Sequence, residues 1–151
     1  DLSVDAVTGT AMLIDRDKLK LINDWDTNIF NYFEDMDLCL RFRLKGFEII
    51  KIRNAEVDHD AFSSHDENFS KQMDFSRNWH YSWSSFYFLK KHTTIFKAYK
   101  FGISLFFKSI IKSLFYIFFK KSKSITHFAK AYGIFFAILN LKSNYRPKIK
   151  T

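Results

Sequence analysis

The chain has a single cysteine, Cys39, so neither an intrachain disulfide nor a zinc site built from cysteines can form, and a reducing compartment is the natural expectation. Cys39 falls on the apolar side of its predicted helix, which marks it as a small buried hydrophobe and not as a nucleophile. Acid is missing from the whole second half: all sixteen Asp and Glu lie at or before Asp74. Residues 1–74 set nine Lys or Arg against those sixteen acids, a net of −7, whereas residues 75–151 carry fifteen and no acid, a net of +15. Such a division joins an acidic catalytic or binding half to a half that faces a polyanion. No signal-peptide pattern is present, and lysines interrupt every apolar run before the ~20 residues needed to span a bilayer, which disfavours an ordinary transmembrane helix. No DNA- or RNA-binding signature appears, and the aromatics share helical faces with Ile and Leu instead of interleaving with lysines, so nucleic acid is set aside as a partner. The chain begins at Asp1 and runs at once into apolar alternation, which leads to the expectation of a fragment of a longer polypeptide. Its 151 residues, 47% of them hydrophobic, suffice for one ordinary domain with a core but not for two complete ones.

The most informative stretch that is present is Tyr32 to Arg41, YFEDMDLCLR. From Asp35, Leu38, Cys39 and Phe42 fall at i+3, i+4 and i+7, so one helical face is apolar while Glu34, Asp35 and Asp37 crowd the first turn. Acids there are stabilised by the helix dipole and by unpaired N–H groups whatever the function. Tyr32 and Phe33 precede them, however, and a carboxylate beside aromatic surface can have its pKa raised toward the range of a general base. Gly46 supplies the stop.

Around this helix the pattern reads strand, helix, strand. LSVDAVTGTAMLI is a strand interrupted by a turn at Thr8 and Gly9, with Gly9 a candidate for close backbone approach to a ligand. Asp15 can cap a short helix over about Arg16 to Ile22, a polar loop with Trp25 follows, and after Gly46 the alternating FEIIKIR fits a strand returning to the sheet. The order predicts an α/β fold. A helix-compatible stretch from about Phe69 through Lys91 places Trp79, Trp83, Phe86 and Leu89 along one side, ready to pack on the first half.

After Thr94, Ile103, Phe106, Phe107, Ile110, Leu114, Ile117 and Phe118 make a continuous apolar helical face, with Lys100, Ser104, Lys108 and Lys112 opposite. A cationic helix rich in Phe suits a membrane interface, with lysines toward anionic head groups. A second apolar stretch, Ala131 to Leu141, is too short to span alone.

With these pieces in order, the chain resembles the C-terminal half of the catalytic domain of family 2 glycosyltransferases, in particular the bacterial rhamnosyltransferase-like enzymes of cell-surface polysaccharide synthesis. The likeness rests on VDAVTGTAMLIDRDKL, on NDWDTNIFNYFEDMDLCLRFRLKGFEIIKI and on NAEVDH, and covers about residues 3–92. It implies a partial GT-A, Rossmann-like α/β domain over 1–92, followed by a basic, Phe-rich amphipathic region over 93–151. It further implies an inverting transfer from a nucleotide sugar to a lipid-linked or glycan acceptor at the cytoplasmic face of the bacterial inner membrane, with the protein peripheral on an anionic surface. In that scheme Asp35 is the catalytic base, and Thr8, Gly9, Glu34, Asp37 and Arg41 bind substrate. His59 is a ligand to Mg²⁺ or Mn²⁺, shared with an Asp-x-Asp motif that this chain lacks at the end of an early strand. Asp58 and Asp60 are less diagnostic, and His65, His80, His92 and His127 have no comparable support. The rival expectation is a non-catalytic basic module that binds membrane surfaces.

Overall fold

A computed structural model describes residues 1–59 and 69–147. The elements are β1 (Leu2–Val4), α1 (Arg16–Leu21), α2 (Glu34–Leu44), β2 (Ile49–Lys51), α3 (Ser70–His92), α4 (Ile95–Phe119) and α5 (Lys121–Ile138). Of the described residues 61% are helical and 4% lie in strands, so the expected α/β, Rossmann-like GT-A fold is not what these residues form. β1 and β2 are three residues each and pair antiparallel, Leu2 with Lys51, Ser3 with Ile50 and Val4 with Ile49. A parallel doubly wound sheet needs several strands joined by crossover helices. Among the described residues two short segments pair as strands, while most remaining apolar residues recur at the helical period. The expected strand through Ile14 ends at Val4, and Gly9 lies in a turn beyond it.

The described residues cluster into two compact units, one from 1–27 and 33–59, the other from 28–32 and 69–147. By compactness, α3 therefore groups with α4 and α5, although the expected 1–92 segment includes it. In the first unit Ile22, Leu38 and Phe42 form the core, with Met12, Ile14, Leu19, Phe47 and Ile49 packed around them. Cys39 is buried, as its place on the apolar face of α2 required. Asp15 caps α1 by accepting from the N–H groups of Asp17 and Lys18. Helix α2 ends as its sequence foretells: Gly46 has φ +82°, its N–H donates to the Arg43 carbonyl, and the Phe47 N–H donates to that of Phe42. The rings of Phe42 and Phe47, 6.0 Å apart, supply the apolar contact that accompanies this termination.

The second unit is a three-helix assembly. Trp79, Trp83 and Phe86 of α3 do pack along one side, but against Ala98, Ile134 and Ala137 of α4 and α5. Contact is close because the facing residues are small. A methyl on Gly133 would overlap the Trp79 carbonyl, and one on Gly102 would sit 2.7 Å from the Phe86 ring. Between α4 and α5, Ser113 donates to the Ser124 carbonyl at 3.0 Å and Ser124 returns the bond to Ser113 at 2.8 Å. The residues after α5 fold back along α3: Trp83 donates to the Leu141 carbonyl, and His80 meets Ser143 at 3.0 Å and the Tyr145 carbonyl at 3.0 Å. A carbonyl can only accept, so His80 carries its proton on Nε2 and accepts from the Ser143 hydroxyl through Nδ1.

Two tests follow from this packing. Gly133→Ala should lower the stability of the helical unit by about 3 kcal/mol, because backbone cannot retreat from backbone, whereas Gly46→Ala, with open space around it, should cost about 1 kcal/mol of left-handed strain. Urea denaturation of the two variants measures both. Burial holds the His80 imidazole below its ordinary 6.5, the Tyr145 carbonyl opposing and nearby Arg146 reinforcing. The unfolded chain therefore takes up this proton first, and stability should fall as pH drops below about 6.5. His80→Gln should flatten part of that decline between pH 7 and 5.

Candidate functional site

The acids that the sequence groups at one helix start have three different environments. Asp35 is half-buried in the first turn of α2. One carboxylate oxygen accepts from the Gly9 N–H at 2.9 Å, and the other accepts from the Met36 N–H at 2.8 Å. Gly9 thus meets the predicted base directly, and backbone, not side chain, makes the contact. A methyl on Gly9 would lie 3.6 Å from the Asp35 Cβ, an ordinary contact. Thr8, beside it, is exposed and donates to the Thr10 hydroxyl at 3.4 Å.

Asp37 is fully buried and serves architecture. It accepts from Arg41 Nε at 2.7 Å, one turn along α2, and Arg41 Nη1 donates to the carbonyls of Ile22 at 2.5 Å and Asp24 at 2.7 Å. Those carbonyls flank the turn after α1, where Asn23 and Asp24 take φ of 61° and 55°. The ion pair therefore clamps this left-handed turn onto α2. Arg41 has its Nε and Nη1 committed to this clamp; its Nη2 is buried with no hydrogen-bond partner.

Glu34 is the acid whose chemistry the fold alters. Burial pushes its carboxyl above the usual 4.5, the hydrogen bond from its own backbone N–H opposes this, and the charge of Asp35 adds to the rise. Its Oε2 is buried with no hydrogen-bond partner. The chain enters this helix through two consecutive left-handed residues, Tyr32 and Phe33, at φ 64° and 68°. Bulky residues avoid this region, and such strain concentrates at functional positions. Nothing in the sequence announces that pair, since Gly or Asn would be the ordinary choice there.

His59 is exposed, and among the described residues no three His, Cys, Asp or Glu side chains gather to hold a metal. These residues do not fit a Mg²⁺ or Mn²⁺ ion by themselves, so no step is assigned to one. Asp60 and His65 lie outside the described residues. Elsewhere, an open apolar groove of about 190 Å³ lies between α4 and α5, lined by Phe106, Ile110, Phe128, Ala131, Tyr132 and Phe135.

Over 80 residues the chain is 32% identical to rhamnosyltransferase WbbL of Escherichia coli (strain K12); the match covers 53% of this chain and 29% of that protein's length. No family model matches the chain, and no solved structure matches it. The likeness is to a glycosyltransferase over part of the chain.

Asp37→Asn should destabilise the first unit by about 3 kcal/mol, since it leaves the Arg41 charge buried without its partner. Glu34→Gln should act in the opposite sense. A carboxyl whose folded pKa is raised favours the fold in its protonated form and weakens it as pH rises. The stability gained by Glu34→Gln should therefore grow as pH climbs from 4.5 toward 7, measured by thermal unfolding at each pH.

Proposed function

We propose that this chain carries the acceptor-activating part of an inverting glycosyltransferase. The enzyme moves a sugar from a nucleotide-sugar donor to a lipid-linked or polysaccharide acceptor in cell-surface glycan synthesis, at the cytoplasmic face of a bacterial inner membrane. The observation that carries this reading is the placement of Asp35, held by the Gly9 N–H at the start of α2, taken with the partial likeness to a rhamnosyltransferase.

Each Asp35 oxygen spends one lone pair on a backbone N–H and keeps another for a proton. The carboxylate removes the proton of an acceptor hydroxyl as that oxygen bonds to the anomeric carbon. The bond from that carbon to the diphosphate breaks on the opposite side, its electron pair leaving with the nucleoside diphosphate, and configuration inverts. Fixing the base on a helix keeps it within hydrogen-bond reach of the hydroxyl. Glu34, beside Asp35 in the first turn of α2, hydrogen-bonds the acceptor and orients it. Asp37 and Arg41 hold the loop and helix that present these groups. Donor-binding residues are assigned to sequence outside these 151 residues.

A second reading, a membrane-surface module without catalysis, draws on the apolar residues that α4 leaves exposed. Transfer assays on the complete reading frame, with a panel of nucleotide sugars and a lipid-linked acceptor, separate the two. Asp35→Asn should lower turnover about 10³-fold with donor affinity nearly unchanged, the loss expected for a general base. Undiminished turnover in that variant removes Asp35 from the role, and a complete protein that binds vesicles but transfers no sugar favours the module.

A further inference from the structure

The α4–α5 pair is packed inside out relative to a helix pair in water. α4 turns Ala98, Gly102, Ser109 and Ser113 inward, and α5 turns Ser124, Ala129, Ala131, Gly133, Ile134 and Ala137. The large apolar residues that the sequence marks as a face to be covered are left outside: Phe107 is 58% exposed, Ile117 55% and Phe118 86%. Small residues at the helix contact and bulky ones outside are the arrangement of helices that meet in lipid, where apolar surface has no reason to hide.

The outward surface is divided in two. On one flank of α4, Ile103, Phe107, Leu114, Ile117 and Phe118 share a side of the helix, and the groove of Phe106, Ile110, Phe128, Tyr132 and Phe135 continues that apolar surface onto α5. On the other flank, Lys112, Lys123 and Lys130 all stand close enough to His127 to bear on its charge. There Tyr116 stacks on the His127 ring at 5.6 Å, and Lys123 lies 5.2 Å over Tyr116. No acid exists anywhere in residues 75–151 to neutralise these cations. Helix α4 is long and apolar enough to cross a bilayer, with 25 residues and 17% of its most apolar window buried. Lys100, Lys108 and Lys112 along one side argue against that passage, because a spanning helix would carry them into hydrocarbon.

We propose that α4 and α5 form a hairpin that lies in the interface of an anionic bilayer, its Phe-rich flank and groove in the acyl layer and its Lys112–Lys123–Lys130 flank at the lipid phosphates. The charge selects the occupant. A second copy docked on the apolar flank would leave the opposite lysine flank without counter-charge, whereas anionic head groups meet the lysine flank while their acyl chains meet the apolar one. This deepens the membrane placement already proposed and is independent of sugar transfer.

Vesicle flotation of the whole chain tests it. Vesicles of equal phosphatidylglycerol and phosphatidylcholine should bind far more protein than phosphatidylcholine alone. Replacing Lys112, Lys123 and Lys130 together by Gln should weaken binding on the order of 100-fold. Phe107→Ser with Phe118→Ser should abolish it while circular dichroism is unchanged, because both side chains are already exposed. For depth, a nitroxide attached at Phe118→Cys in a Cys39→Ser background should be reached by oxygen and not by a water-soluble nickel chelate, and one at Lys108→Cys by both. Absence of binding to any vesicle overturns the membrane placement itself. Binding with a water-exposed label at position 118 overturns only the hairpin's seating. A label at Lys121→Cys protected inside sealed vesicles shows a spanning helix and overturns the interfacial arrangement, as does a stable dimer that excludes lipid.

Discussion

The helical unit depends on how closely its helices can approach. Gly133 lies so near the Trp79 carbonyl that no side chain fits between them, and this contact lets Trp79, Trp83 and Phe86 fill the space against α4 and α5. Once the seam is made of Gly, Ala and Ser, it has no room for the phenylalanines, which must point away from it. The exposure of Phe107 and Phe118 is thus the geometric complement of the tight seam. The reciprocal bonds between Ser113 and Ser124 complete it, because each hydroxyl finds a partner within the helix pair and asks nothing of the surroundings.

In the first unit a comparable economy governs the acids. Of three carboxylates in one helical turn, one is sealed with Arg41 in a clamp, one takes two backbone N–H groups, and one is buried with an unpartnered oxygen. The ion pair of Asp37 and Arg41 does more than close α2 on itself, since the same guanidinium ties down the carbonyls of Ile22 and Asp24. That anchoring holds the left-handed residues Asn23 and Asp24 in place against α2.

Much of this was legible from residue order. The cap at Asp15, the stop at Gly46, the burial of Cys39 and the aromatic stripe of α3 each follow from a local rule that tertiary packing left intact. One reading failed for an identifiable reason. LSVDAVTGTAMLI and FEIIKIR alternate like strands, but alternation reports only a half-buried extended segment; neither states how many partners will pair with it, and here three residues of each found one another. In α4 the apolar face is conspicuous in the sequence, yet the buried side is marked by Ala98, Gly102, Ser109 and Ser113. Small residues spaced by four carry that signal, and a search for bulky hydrophobes passes over them. The separate fates of Glu34, Asp35 and Asp37 were illegible because they depend on Gly9, Ile22 and Asp24, which the sequence does not tie to that helix.

Residues 28–32 have a place in the chain that differs from their place in the fold. They fall between α1 and α2, yet they belong to the helical unit, where Asn31 accepts from Ser84 and the Phe30 ring lies under the Arg146 guanidinium at 3.3 Å. The helical unit is therefore assembled from two separate pieces of chain, one of them borrowed from the middle of its neighbour. A gene cut at the second crossing would deliver neither unit whole. No single cut in the chain leaves both units whole, so the acid-bearing helix and the lysine-rich hairpin cannot be separated without loss to one of them.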